Sequence, residues 1–237
     1  MKMKKTSFLA TILLTFVSSA FAQESGTLSG SATYGFESDF IFRGFHISGD
    51  TFTPSAEGRV NAENSTYYAG VRTALPTKKA DNRVKMHEYY LGAEFEVMED
   101  FNIDLGISHF DFIPFTDDSV TEGMIGLTWD TLLSPALYVY ADSDNETTTY
   151  EGSIGHAFPI DQKSAIMVTG YVGNSEFYTG STYYGAMLDY SYSFTRYARL
   201  TFGVRYVSLD PEEADVLELA IDSDNVTSWG VSFTAGF

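Results

Sequence analysis

The sequence predicts an all-β protein, a transmembrane antiparallel up-and-down β-barrel of about twelve strands, with about ten to fourteen allowed by its weaker segments. Three observations carry that expectation. From Leu28 to Arg43 every second residue is apolar or small, ending in Tyr34, Phe36, Phe40 and Phe42, while the intervening set is largely polar and holds Glu37, Asp39 and Arg43. Side chains alternate across a strand, so this stretch has one face suited to lipid and one suited to water. The chain also has 19 Phe, 16 Tyr and 20 Gly at a mean hydropathy of −0.09, too polar for a helical membrane protein yet rich in aromatics. Finally, the alternating segments are separated in turn by short turns and by longer polar connections.

Residues 1–22 read as a cleaved export signal. Lys2, Lys4 and Lys5 lead, Phe8 to Val17 is a short apolar core, and Ala20-Phe21-Ala22 is a small-x-small cleavage site. That core is well short of the ~20 apolar residues a spanning helix needs, and no later run is longer. Residues 23–237 form one domain with no Pro-rich or Gly/Ser-rich linker. In a membrane they would cross as strands, because only helices and closed barrels satisfy every backbone group in lipid. The absence of Cys rules out disulfide staples and thiolate metal sites. With 14 basic against 32 acidic residues, and three of the bases in the signal, nucleic acid is excluded as a partner, since phosphate binding needs clustered Lys and Arg.

The elements follow in order. After the first strand, Gly44 to Pro54 is a polar connection. Ser55 to Glu63 sets Ala56, Gly58, Val60 and Ala62 against Glu57, Arg59, Asn61 and Glu63; an Asn64-Ser65 turn leads to Thr66–Ala74, where Arg72 opposes Tyr67, Ala69, Val71 and Thr73. Leu75 to Lys85 connects to Met86–Val97, in which His87, Tyr89, Leu91, Ala93, Phe95 and Val97 face away from Glu88, Tyr90, Glu94 and Glu96. Phe101–Phe110 places Asn102, Asp104 and Ser108 inward, and Thr121–Trp129 does the same for Glu122. Pro135–Ala141 has two apolar faces and Ser164–Val172 a blurred period, so these two are the weakest segments. Thr147–Phe158 carries Glu151 and Ser153 inward, Tyr183–Tyr192 Asp189, and Arg196–Tyr206 Arg199 and Arg205. Val207 to Asn225 contains the longest connection, and Val226–Phe237 closes the chain on alternating Trp229, Val231, Phe233 and Phe237. The longer connections fall after odd strands and would face outward from the cell; the short turns and both termini would face the periplasm.

The run Ser38-Asp39-Phe40-Ile41-Phe42-Arg43-Gly44 resembles the SDY-x-FRG signature near the mature N-terminus of porins of the TorF or Gcw_chp family, with Phe40 where that signature has Tyr. The resemblance implies an outer-membrane β-barrel with a transport role and no particular solute. The terminal Phe237, at the end of an alternating aromatic strand, is similar to the C-terminal signal read by the barrel-assembly machinery.

On this phasing the pore-lining set is Glu37, Asp39, Arg43, Glu57, Arg59, Arg72, Glu88, Glu94, Asp104, Glu122, Glu151, Asp189, Arg199 and Arg205, with Glu63 and Glu96 on the same face. Arginines fall on the first three strands and the eleventh, which become neighbours on closure, whereas the fourth to sixth, eighth and tenth contribute only acids. The expected function is passive diffusion of small hydrophilic solutes or ions through a narrow, weakly cation-preferring lumen. The outer membrane's lipid and lipopolysaccharide are the expected surroundings, and no cofactor is called for. Three alternatives remain. Inward Arg and Glu can pair and plug the barrel. An outer-membrane enzyme would need a His beside a nucleophile and a carboxylate, for which only His46, near Asp50, falls off the lipid-facing phase of His87, His109 and His156; no G-x-S-x-G or HExxH occurs. A soluble lipocalin-like or sandwich protein would explain the alternation and leave the outward aromatics without a purpose. Two tetrads, Asp142-Ser143-Asp144-Asn145 and Asp222-Ser223-Asp224-Asn225, hold oxygen ligands at alternate positions, which suits either weak Ca²⁺ binding or ordinary turns.

Overall fold

In the computed structural model, residues 27–77, 84–113, 119–176, 181–209 and 225–237 are described. The export signal, much of the longest connection and the first three residues of the second Asp-Ser-Asp-Asn tetrad lie outside them. Twelve antiparallel strands build the wall: β1 (Thr27–Glu37), β5 (Ser55–Asn61), β6 (Ser65–Pro76), β7 (Lys85–Met98), β8 (Phe101–Ile113), β9 (Val120–Trp129), β10 (Ala136–Asp142), β11 (Thr147–Pro159), β12 (Ser164–Ser175), β13 (Ser181–Thr195), β14 (Ala198–Leu209) and β15 (Asn225–Gly236). Each pairs with its sequence neighbour, and β15 pairs with β1 in the register Tyr34↔Phe233 and Ser31↔Gly236, closing the ring. Closure leaves no free edge, which is what lets strands cross lipid.

The alternation expected from sequence sets which face is which. Tyr34 (73% exposed), Ile125 (54%), Ile154 (53%), Leu188 (52%), Phe202 (48%) and Phe233 (42%) stand on the outer surface. An apolar surface that wraps a whole ring would drive a soluble protein to aggregate and is the surface that acyl chains cover. A lipocalin has the reverse arrangement, apolar within, so the soluble alternative does not fit. Exposed aromatics collect near both rims: Tyr150, Tyr184, Tyr206 and Trp229 toward the long connections, and Trp129, Phe158, Phe194, Tyr197 and Phe237 toward the short turns.

Short turns are built by local rules. The β7–β8 turn places Asp100 at φ 62°, with a bulge between Glu96 and Met98. In the β11–β12 turn, Asp161 Oδ1 accepts from the Lys163 and Ser164 backbone N–H groups at 2.7 and 2.8 Å, an Asx turn, and these hydrogen bonds hold its carboxyl below the usual range. The two weakest segments are both full wall strands, because their neighbours fix the register: Leu137 sits between Leu127 and Gly152, and Gly170 between Ile154 and Ala186.

One strand departs from the expectation. The stretch from Leu28 to Arg43 does not run on as a single strand; β1 ends at Glu37 and the chain turns into the lumen as a hairpin of β2 (Phe40–Phe42) and β3 (Phe45–Ser48). It returns to the wall at β4 (Thr51–Phe52), which pairs with both β1 and β6 before β5 begins. Glu63 is likewise not on the inner face but in the exposed β5–β6 turn, since β5 stops at Asn61.

Strands ~4.8 Å apart and tilted ~40° close at this number into a ring about 24 Å across at the backbone, against about 16 Å for eight strands. Such a ring lies between eight strands, whose side chains fill the interior, and sixteen, which leave an aqueous channel. The hairpin takes part of that space.

Candidate pore and the hairpin within it

The hairpin leaves the wall at Ser38, whose N–H donates to Trp229 O at 2.9 Å while Trp229 N–H donates to Ser38 Oγ at 3.0 Å. Its two-residue turn is Arg43-Gly44, at φ 48° and 83°. Both central residues are left-handed, the type I′ geometry that matches strand twist in tight hairpins. Gly44 is needed twice over, since a side chain there would also collide with the ring of Tyr183. Arg43 is a non-glycine residue in the left-handed region, at a cost of ~1–2 kcal/mol.

What holds Arg43 there is an ion pair within the lumen. Its Nη1 and Nη2 donate to Oε1 and Oε2 of Glu122 on β9, a bidentate fork in which the two side chains are 12% and 4% exposed. The guanidinium also lies over Tyr140, 3.9 Å from the ring centroid, and 4.9 Å from Phe42. Two apolar clusters pin the hairpin on either side. Phe40 packs with Ala74, Met86, Phe110, Phe112 and Val120 on β6 to β9, and Phe45 with Tyr183 and Leu209 on β13 and β14.

Asp39 and Arg43 are therefore not wall residues as expected; they ride on the hairpin. Phe40 and Phe42, expected to face lipid, are inside. The period of two persists through them because the upper lumen offers Met86, Phe110, Phe112 and Val120 in place of acyl chains. Asp39 Oδ1 lies 3.1 Å from His46 Nε2, an approach within the hairpin that lacks hydrogen-bond geometry.

The wall residues meet one another as charge pairs. Arg59 Nε is 2.5 Å from Glu57 Oε1, Arg72 Nη2 is 2.6 Å from Glu88 Oε2, and Arg205 Nη1 is 3.1 Å from Glu37 Oε2. Glu57 also accepts from Tyr90 OH at 2.9 Å, Asp104 from Tyr68 OH at 2.7 Å and Glu151 from Tyr183 OH at 2.7 Å. Glu94 faces Asp104 across β7 and β8. Among the described residues Glu94, Glu96, Asp189 and Arg199 make no ion pair. The basic sector is thus largely met by acids: Arg72 by Glu88 of the next strand, and Arg43 by Glu122 on the far wall. Acids remain in excess.

The sequence reading overlooked most of the inward tyrosines. Tyr68, Tyr90, Tyr138, Tyr171 and Tyr183 each stand directly across from a glycine of the adjacent strand, namely Gly92, Gly70, Gly126, Gly185 and Gly173. In each case the ring occupies the space a Cβ would need. Only Tyr90 fell visibly on the polar phase. The signal for the others was glycine inside strands, which becomes readable once register is known.

His87, His109 and His156 keep the outward phase; His87 Nδ1 is 3.2 Å from Thr73 Oγ1, and His109 Nδ1 is 3.0 Å from Thr121 Oγ1. In the first Asp-Ser-Asp-Asn tetrad, Asp142 Oδ1 accepts from the Asp144 and Asn145 N–H groups at 2.7 and 3.2 Å, and Asp144 Oδ2 accepts from Thr121 N–H at 2.8 Å. The tetrad builds a turn with its own carboxylates.

No family model matches the sequence and no curated protein does, so the likeness of Ser38 to Gly44 to the TorF or Gcw_chp signature is a likeness of that motif alone. Solved structures do match. The KdgM porin is similar over 87% of this chain and 99% of its own, with a TM-score of 0.57 at 13% identity. The NanC porin covers 87% of this chain and 98% of its own, at 0.51 and 9%. An outer membrane channel from Pseudomonas putida F1 covers 91% and 97%, at 0.50 and 9%. At such identities the likeness is one of architecture: the chain has the closed twelve-stranded fold found among outer-membrane porins.

Proposed function

We propose that the chain is an outer-membrane porin that lets small hydrophilic solutes and ions diffuse through a lumen narrowed, but not filled, by the β2–β3 hairpin. The observation that carries this is an enclosed interior holding charged side chains on most strands, inside a surface that is apolar all round. A soluble or purely structural barrel of this width has no need of so many charges, each of which is costly to enclose without water. The likeness to porin structures supports the same reading. Acids exceed arginines along the wall, which favours weak cation preference, and pairing of Arg59, Arg72 and Arg205 with Glu keeps that preference small. The pore-lining set is the wall residues named above together with Asp39 and Arg43 on the hairpin. Lipid and lipopolysaccharide surround it, an export signal delivers it, and Phe237 at the end of β15 presents it to the assembly machinery.

Purified protein in planar lipid bilayers tests this. Small, ohmic steps are expected, with a reversal potential in a KCl gradient displaced modestly toward the K⁺ potential. Clear anion preference would refute the selectivity, and silence from folded protein would refute the pore. The second reading, a plugged barrel, is favoured by one observation, the clamping of the hairpin between two apolar clusters. Silence in the intact protein with conduction after removal of the hairpin would support it.

A further inference from the structure

Just on the short-turn side of the hairpin's root, the register of four neighbouring strands builds a basin in the wall. Asp189 of β13 stands across from Gly203 of β14, Gly203 from Gly230 of β15, and Gly230 from Glu37 of β1. The next row carries Thr201, Ser232 and Gly35. A cavity of ≈ 130 Å³ opens here beside Gly230, rimmed by Glu37, Asp189, Arg205, Thr53, Thr201 and Ser232, with Thr53 lying over Gly35 and Asp189 over Gly203. At ~30 Å³ per water this is room for about four waters, the bulk of a small amino acid.

The rim is chemically asymmetric. At one end Asp189 folds over Gly203, where a side chain would collide with its Oδ1, and among the described residues its carboxylate accepts no hydrogen bond. At the other end Arg205 gives one N–H to Glu37 at 3.1 Å, and among the described residues its other donors make no hydrogen bond; its side chain is 39% exposed. A bare carboxylate and a guanidinium with spare donors thus flank a polar hollow. A metal ion would meet Arg205, and a sugar acid would meet both Asp189 and Glu37. With Glu37 already held by Arg205, a solute with an ammonium at one end and a carboxylate at the other puts its cation on Asp189, the carboxylate that no arginine meets, and its anion on the donors of Arg205 that Glu37 does not use.

The geometry points to a binding site for small zwitterions, of the α-amino acid class, with the ammonium on Asp189, the carboxylate on Arg205 and the hydroxyls of Thr201 and Ser232 between. The porin reading enters only in how the solute arrives. The site slows such a solute briefly as it passes the hairpin, raising its local concentration in the narrow part of the lumen.

The test is calorimetric titration of the detergent-solubilised full barrel with L-alanine, and with ethylamine and propionate, which each carry one of the two charges. Saturable alanine binding is expected, with each single-charge probe weaker by about tenfold or more. Asp189→Asn should weaken alanine by about tenfold and leave propionate unchanged; Arg205→Gln should weaken both alanine and propionate, with folding of each variant checked by heat-modifiable gel migration. Equal affinity for the three probes, or no alanine binding by folded protein, would overturn the site. Liposome swelling in erythritol reads the pore separately: swelling without alanine binding rejects the site and keeps the porin, and alanine binding without swelling rejects the porin and keeps the site.

Discussion

Arg43 is where sequence, strain and packing meet. It occupies a backbone conformation that a glycine would take more easily, and the side chain that makes it costly is the one that forks onto Glu122. Replacing Arg43 with Ala leaves Glu122, 3% exposed, without its cation, and a buried charge so orphaned costs ~3–5 kcal/mol. Denaturant unfolding in detergent should show a loss of that order. Arg43→Ala combined with Glu122→Gln should lose less than the two single changes added, because they report one contact; simple additivity would mean the fork does not hold the hairpin. Gly44→Ala adds a second, independent strain. The new methyl meets Tyr183 at a left-handed φ, and a loss of ~1–3 kcal/mol is expected from the same measurement.

At the scale of elements, the hairpin is the part that alternation could not locate. Residues 28 to 43 alternate without a break, because Phe40 and Phe42 face apolar side chains inside the barrel as readily as they would face lipid outside it. Period reports that one face is apolar; it is silent on what covers that face. Two features of the sequence do mark the exit from the wall. Arg43-Gly44 is a hairpin turn flanked by phenylalanines, and Pro54, just beyond β4, interrupts the returning strand where a central strand would not tolerate it. The inward tyrosines were hidden for a related reason: Tyr suits both faces, and only its glycine partner on the next strand tells them apart. Turns read more easily, since their chemistry is local. The Asp161 carboxyl lies below its ordinary range when its turn is formed, so the turn gains stability above that range and loses it as pH falls through the folded value. Protection of the Ser164 amide, its exchange relative to the intrinsic rate at each pH, should therefore fall on acidification, and Asp161→Ala should remove the pH dependence of that protection.

For the whole molecule, closure does what no single residue does: β15 meeting β1 turns twelve amphipathic strands into a wall with two solvents. That much was legible from residue 28 onward, because a dyad pattern repeated over enough segments admits few other folds. Charge was legible by face and illegible by partner. Arg72 and Glu88 sit on adjacent strands and pair, which sequence phasing allowed; Arg43 meets Glu122 only because the hairpin carries it out of the β1 wall to the side of the lumen where β8 to β10 stand. The lumen is consequently less polarised than a count of arginines per strand implies. Charge selectivity should be weak and should grow toward cations when Arg59 or Arg72 is neutralised, as read from reversal potentials in a KCl gradient. The most direct measurement is single-channel conductance of the intact barrel beside one in which residues 39 to 49 are replaced by a short Gly-Ser link. Small steps in the intact protein and several-fold larger ones in the deletion, at unchanged heat-modifiable folding, are the expected result; equal conductance in the two, or none in either, would contradict a pore narrowed from within.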